Sequence, residues 1–466
     1  MAIHTPRFAT SRLLNGSMCL AVWLGSATAQ EIEAERPVES RHPVAIMESG
    51  ATPEIGLAAL YQKQGKYAQA ELMYRQALAR SETADLGDLR VADILRRLGR
   101  VNIDLGNYHN AETAEGRALA ILEKNYGEVN SGVAGVLTDL GMVSFHQGNF
   151  AAAELLYQRS LNIKEKTLGE DDPSTAASLN NLAALYRSQG KFADAEALYK
   201  RSLAVFEKTY GPEHPEVATI LNNLAELYSG QSRFLRAEPL YRRSIAITEK
   251  AWGTEHPNLV PSLCNLAGLY RNLGYYEKAE PLYERGLAIL RNTVGQHHPE
   301  AAGILHSLAD LYARQNKLAE VENLLCQSLA IWETTLPPLH PNIATAMHDL
   351  ARLYLIQHKY SQARPLLERL VANREKALGA NAPALLSSLR ALAELHIAQR
   401  RYTAAEPLYM HLLSIQQKAL GQEHSDYAAD LERYAFVLRK LKRKKEAAVA
   451  ERSILSARTT FLEERR

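Results

Sequence analysis

A break in hydrophobic periodicity returns along this chain at one fixed spacing, and that spacing limits what it can fold into. The breaks fall at Gly65, Gly106, Gly148, Gly190, Ser232, Gly274, Asn316, His358, Arg400 and Lys442; the first interval is 41 residues and the other eight are 42. A second series, Gly127, Gly169, Gly211, Gly253, Gly295, Pro337, Gly379 and Gly421, advances by the same 42 residues. Two independent markers at one period identify an array of about ten repeated units.

The stretch Asp172 to Gly211 shows what one unit is. Leu179, Leu182, Leu185 and Tyr186 fall on one side of a helix of 3.6 residues per turn, and Gln189-Gly190-Lys191 interrupts the pattern. Phe192, Ala195, Leu198, Tyr199, Leu203 and Phe206 then form a second apolar stripe, closed by Gly211 as a C-terminal cap. Such a helical hairpin cannot bury its own apolar faces and must stack on its neighbours. Ala recurs five positions after the break at Ala70, Ala111, Ala153, Ala195, Ala237, Ala279, Ala363, Ala405 and Ala447, where the two helices cross closely; Val321 departs. Tyr61, Tyr186, Tyr228, Tyr270, Tyr312 and Tyr354 on first helices, and Tyr74, Tyr157, Tyr199, Tyr241, Tyr283 and Tyr409 on second helices, read as packing between helices rather than a cofactor box. Ten hairpins follow, the first beginning near Thr52.

The segments LNNLAALY, QGKFADAEALYKRSL and GPEHPEVATILNNLAELY resemble the tetratricopeptide repeat in its 42-residue form, as in kinesin light chains and many bacterial proteins. The resemblance covers residues 52–466 and is most specific in repeats three to eight. It implies an all-α, right-handed superhelical solenoid whose first helices line a concave face that binds peptides or protein segments. The heptad coiled coil that precedes the repeats of kinesin light chains is missing, so motor association is not implied.

Ahead of the repeats, Arg7 and Arg12, the apolar run Met18 to Gly25 and the small residues Ala27-Thr28-Ala29 have the three-part pattern of an export signal, residues 1–29. The run is far short of the roughly 20 residues that span a bilayer, and Cys19 precedes most of it, against a lipid-modified cysteine. Residues 30–51 read as a polar leader. The expected compartment is the periplasm, or the cytoplasm if the signal reading is wrong. Cys264 and Cys326 lie in different repeats and are expected as small core or groove residues, not as a bridge. The formal net charge of +2, with both signs mixed along the chain, does not call for nucleic acid as a partner.

If first helices line a groove, the residues beside the buried Leu stripe face it. These are Asn180, Asn181, Asn222, Asn223 and Asn265, flanked by Arg187 and Arg271. In kinesin light chains the matching Asn residues help hold an extended peptide. An amide both donates and accepts, so it can pair with a peptide backbone; the alternative is that these Asn side chains bond and space neighbouring repeats, and a group with four bonding sites can do both. Towards the N-terminus, Arg96, Arg97 and Arg100, with Asp93 and Asp104 nearby, could form a carboxylate-binding patch, although a solvated charged face is the commoner outcome. Further along, Glu226, His306, Asp310, His348, Asp349, Arg352, Arg390 and Glu394 replace the Asn pairs.

His214, His256, His298, His340 and His424 recur once per repeat, too far apart to share a metal, and four are followed by Pro; they read as helix starts. The chain contains no GxSxG, HExxH, phosphate loop or dinucleotide turn, so no cofactor and no enzymatic activity are expected. Between Arg433 and Arg466 there are 11 basic and 4 acidic residues, a polar terminal cap that could also touch an anionic surface. The sequence thus points to a non-enzymatic scaffold with a protein or peptide ligand, and alternatively to a structural component of an envelope complex acting through its convex face or basic end.

Overall fold

The computed structural model describes residues 53–84, 87–419 and 425–463. The expected export signal, leader and first residue Thr52 lie outside the described residues, as do Gly421 and His424. Among the described residues ten helical hairpins follow one another. Their helices are α1 (Pro53–Lys63), α2 (Tyr67–Thr83), α3 (Asp88–Asp104), α4 (Tyr108–Tyr126), α5 (Ser131–His146), α6 (Phe150–Leu168), α7 (Pro173–Ser188), α8 (Phe192–Tyr210), α9 (Pro215–Gly230) and α10 (Phe234–Trp252). The series continues with α11 (Val260–Asn272), α12 (Tyr276–Thr293), α13 (Pro299–Arg314), α14 (Leu318–Thr335), α15 (Pro341–Ile356), α16 (Tyr360–Leu378), α17 (Leu386–Ala398), α18 (Tyr402–Ala419), α19 (Ser425–Lys440) and α20 (Lys444–Glu463). Short 3₁₀ turns, Pro257–Leu259 and Pro383–Leu385, lead into α11 and α17.

All ten residues of the first marker series adopt positive φ, between 58° and 80°. At each of them the chain closes the first helix in the same way. Gly190 N–H donates to Arg187 O at 3.1 Å and Lys191 N–H to Tyr186 O at 2.9 Å, the paired bonds that end a helix on a left-handed residue. Ser232, Asn316, His358, Arg400 and Lys442 make the same turn with a side chain. Five first helices or the 3₁₀ turns leading into them begin on a polar cap followed by Pro. The Asp172 carboxylate accepts from Ser174 N–H at 2.7 Å, and the Nδ1 atoms of His214, His256, His298 and His340 accept from the amide two residues on at 3.2–3.3 Å. These four periodic histidines are therefore helix caps.

The Ala five positions past each turn is essentially without exposure, and Val321 is 2% exposed in the same place. All six second-helix tyrosines are buried, as expected of packing groups. A buried Ser on the second helix bonds a first-helix carbonyl in three consecutive hairpins: Ser160 to Ala134 O, Ser202 to Ala176 O and Ser244 to Ala218 O, at 2.7–2.8 Å. Two expectations need correction. Phe192, placed in the apolar stripe of α8, is 40% exposed, because it is the first residue of that helix and its cover is incomplete. Cys326 is exposed, because a step of about 100° from buried Leu325 turns it outward on α14. Cys264 is buried, and both thiols are free.

The hairpins form two compact bodies, one comprising the described residues up to 311 with 334–336, the other 312–333 with 337–463. In the first, consecutive hairpins are joined by a repeated triad. Tyr186 hydroxyl donates to Glu154 at 3.1 Å, Lys191 Nζ reaches the same carboxylate at 3.1 Å, and that ammonium lies 4.8 Å from the Tyr186 ring centroid. Tyr228, Glu196 and Arg233 repeat it one hairpin on. In the second body Lys359 pairs with Glu322 at 2.5 Å beside Tyr354, and Arg390 binds Asp430 through two hydrogen bonds of 2.6–2.7 Å. Among the described residues no helix is long and apolar enough to cross a membrane.

Because Ala195 sits with no exposure at a helix crossing, Ala195→Leu should overpack it and lower the unfolding free energy by about 1–3 kcal/mol. Ala204→Leu, on the exposed side of α8, should stay within about 0.5 kcal/mol. Urea titrations followed by circular dichroism test this, and equal losses at both positions would contradict it.

Candidate interaction face on the first helices

The nominated amides and the arginines that flank them lie in the first body, on first helices α3, α7, α9 and α11, and all but Asn181 and Arg97 take part in bonds that run from one first helix to the next. His348, Asp349 and Arg352 on α15, and Arg390 and Glu394 on α17, belong to the second body. Two spacings recur in the first. At 43 residues, Arg96 binds Asp139 at 2.9 Å, Asn223 Nδ2 donates to Asn180 Oδ1 at 2.9 Å, and Asn265 Nδ2 donates to Asn222 Oδ1 at 3.1 Å. At 39 residues, Arg100 reaches Asp139 at 3.4 Å, Arg187 binds Glu226 at 2.5 Å, and Arg271 binds Asp310 at 3.1 Å. The cause is the period itself: with equivalent positions 42 apart, a side chain meets its counterpart on the next first helix displaced by one residue or by about one helical turn.

These bonds show that the Asn residues link neighbouring repeats. They do not exhaust the amides. Asn180 is 8% exposed, while Asn181, Asn222, Asn223 and Asn265 are half-buried. Asn181 accepts only a long 3.5 Å contact from Asn180, so its Nδ2 has no partner among the described residues, and neither has that of Asn222. The Oδ1 atoms of Asn223 and Asn265 are likewise open. Donors and acceptors on three successive first helices therefore remain available on partly exposed side chains.

At the α3 end the arginines are engaged. Arg96 and Arg100 share Asp139 from α5, a partner that sequence reasoning missed because it is contributed by the next hairpin, while Arg97 pairs with Asp93 at 2.8 Å. Asp104, expected beside them, is instead the acceptor for Gln62 on α1 at 2.9 Å. It stands one turn beyond Arg100, at the C-terminal end of α3, where the preceding hairpin comes within reach. Glu115 lies fully buried beneath this cluster, and neither of its carboxylate oxygens has a hydrogen-bond partner among the described residues. Burial pushes its carboxyl well above the usual range, with Asp139 adding to the rise and Arg96 and Arg100 opposing it. Burial would also raise Asp139, but Arg100 and Arg96 reverse that and hold it below its ordinary value. Nearby, burial pulls Lys164 down to about 8, its ammonium bonded to Ser178 Oγ at 2.8 Å. No group of three or more His, Cys, Asp or Glu side chains positioned to hold a metal occurs among the described residues.

Tetratricopeptide-repeat profiles match residues 51–124, 132–208, 176–250, 258–334, 327–376 and 385–426, which is most of the chain. The chain belongs to the tetratricopeptide repeat family. Its similarity to solved structures includes a putative kinesin light chain with nearly identical repeats from Podosopora anserina, at 31% identity, a TM-score of 0.38, and coverage of 44% of this chain and 98% of that one. BtubC from P. vanneervenii matches at 22% identity and a TM-score of 0.39, over 51% of this chain and 93% of that one. A signal transduction ATPase with a tetratricopeptide repeat sensor from Pyrococcus horikoshii matches at 16% identity and a TM-score of 0.53, over 76% of this chain and 52% of that one. No curated protein matches. Tetratricopeptide repeats are generally non-enzymatic scaffolds, and this family membership suggests a role in protein–protein interaction.

Asp139→Asn should destabilise the repeats by about 2 kcal/mol at pH 7, because it leaves two largely covered guanidiniums without their anion. The depressed Asp139 carboxyl contributes stability that is present above about pH 4 and is lost as pH falls through its folded value. Acid titration followed by circular dichroism should therefore show a shallower loss of stability in the variant than in the parent.

Proposed function

We propose that this tetratricopeptide repeat protein is a non-enzymatic scaffold that holds an extended peptide or protein segment along its first helices, which form a concave groove. One observation carries this reading: the open Nδ2 donors of Asn181 and Asn222 and the open Oδ1 acceptors of Asn223 and Asn265 succeed one another on α7, α9 and α11. An extended backbone offers N–H and C=O groups alternately, and amides bind either. The bonds already made between Asn180, Asn223, Asn222 and Asn265 hold the Asn222, Asn223 and Asn265 amides in place, so little of their side-chain entropy remains to be lost on binding. Arg187 with Glu226, and Arg271 with Asp310, border the amides and favour a segment with polar or mixed-charge side chains. The pattern Arg7, Arg12, Met18 to Gly25 and Ala27 to Ala29 supports action after export, which N-terminal sequencing of the mature protein tests.

Chemical crosslinking in the native host followed by mass spectrometry identifies the bound segment, and calorimetry with that segment then measures its affinity. Replacing Asn181, Asn222 and Asn223 together by Ala should weaken binding at least tenfold while the helical signal is retained. Unchanged affinity would remove the first-helix face as the binding surface.

A further inference from the structure

The first hairpin touches the seventh. Gly65, in the turn between α1 and α2, is buried against the start of α13, where a Cβ would lie 2.4 Å from Pro299 Cδ and 2.8 Å from His298 Cδ2. At Gly148, Gly190 and Gly274, the same position in other hairpins, a Cβ would meet nothing within 4 Å. Side chains are accepted at this φ, as Ser232 at 58° and Lys442 at 65° show. Gly65 is distinguished by lack of room.

Polar groups stand behind this contact. Gln62 on α1 donates to Asp104 on α3, which faces Tyr67 from α2, Glu300 from α13 and, along its own helix, Arg100. Burial pushes the Asp104 carboxyl up to about 7; the Gln62 hydrogen bond opposes this, Glu300 adds to it, and Arg100, which is shared with Asp139, opposes it. Burial holds His298 below its ordinary range against the pull of Glu300, and burial with the two carboxylates raises Tyr67, so both are neutral at mildly alkaline pH. Cys264, which also senses Glu300, is raised by its burial and stays a thiol.

We propose that the docking of the Gly65 turn on His298 and Pro299 is a clasp between the first and seventh hairpins, closed while Asp104 is neutral and released when Asp104 ionises beside Glu300. Because the carboxyl is raised in the closed form, closure takes up a proton between the open and closed values: it is strongest below the ordinary carboxylate range, weakens progressively as pH rises to about 7, and changes little above. The clasp joins hairpins six repeats apart, and its release frees the first two hairpins from the start of α13.

The test is a distance measurement between spin labels on the full chain, at Lys63→Cys and Gln296→Cys, with Cys19 and Cys326 replaced by Ser and circular dichroism as the folding control. At pH 5 a single short distance is expected. At pH 8.5 a longer population should appear, and Asp104→Asn should abolish it. Gly65→Ser should give the longer distance at both pH values, whereas Gly190→Ser, with the same φ and open space, should behave as the parent. One distribution at both pH values in the parent would overturn the proposal, as would identical behaviour of the Gly65 and Gly190 variants. Should Gly65→Ser fail to fold, the pH response of the parent and of Asp104→Asn decides the matter.

Discussion

The close crossing of two helices within each hairpin is the constraint on which the rest of the molecule depends. A left-handed residue reverses the chain, and five positions later a side chain no larger than methyl, or Val321 in one hairpin, lies against the first helix with almost no exposure. That approach lets second-helix hydroxyls such as Ser202 reach first-helix carbonyls, and it leaves the outer apolar faces for the next hairpin to cover.

Stacking the hairpins then turns a sequence period into a spatial one. Recurring side chains find their partners in the adjoining repeat, which accounts for the Tyr186–Glu154–Lys191 triad and its copy at Tyr228, Glu196 and Arg233. The second helices are tied in the same way by Arg159 to Glu123, Arg201 to Glu165 and Arg243 to Glu207, at 2.7–3.0 Å. Exposed pairs of this sort contribute about 0.2–1 kcal/mol each, so apolar burial supplies most of the stability and the polar contacts hold the register between hairpins.

The candidate face follows from this register. Amides on successive first helices meet at 43 residues and acid–base pairs at 39, so one set of bonds both spaces the repeats and leaves unused donors and acceptors beside it. Of the two readings of the Asn residues that sequence alone left open, inter-repeat bonding is what the structure shows, and it uses only part of each amide's bonding potential, which is compatible with the proposed ligand contact. The arginines of α3 differ: Arg96 and Arg100 converge on a single carboxylate, Asp139, and belong to the internal packing of hairpins two and three.

Much was legible in advance because a tandem repeat writes its structure locally. The turns, the caps at His214 and His256, the crossing alanines and the buried tyrosines all follow from residue type at a fixed position within one unit, and residue type there decides backbone conformation and close approach. What only the tertiary structure decided are relations between units. That Asp139 neutralises Arg96 and Arg100, that Asp104 meets Gln62 and Glu300, and that the turn at Gly65 has no room beside Pro299 depend on how successive hairpins are rotated and stacked. The physical reason is that local preference acts over one helical turn, whereas these contacts join residues roughly 40 or more positions apart, whose meeting is set by the summed geometry of every hairpin between them.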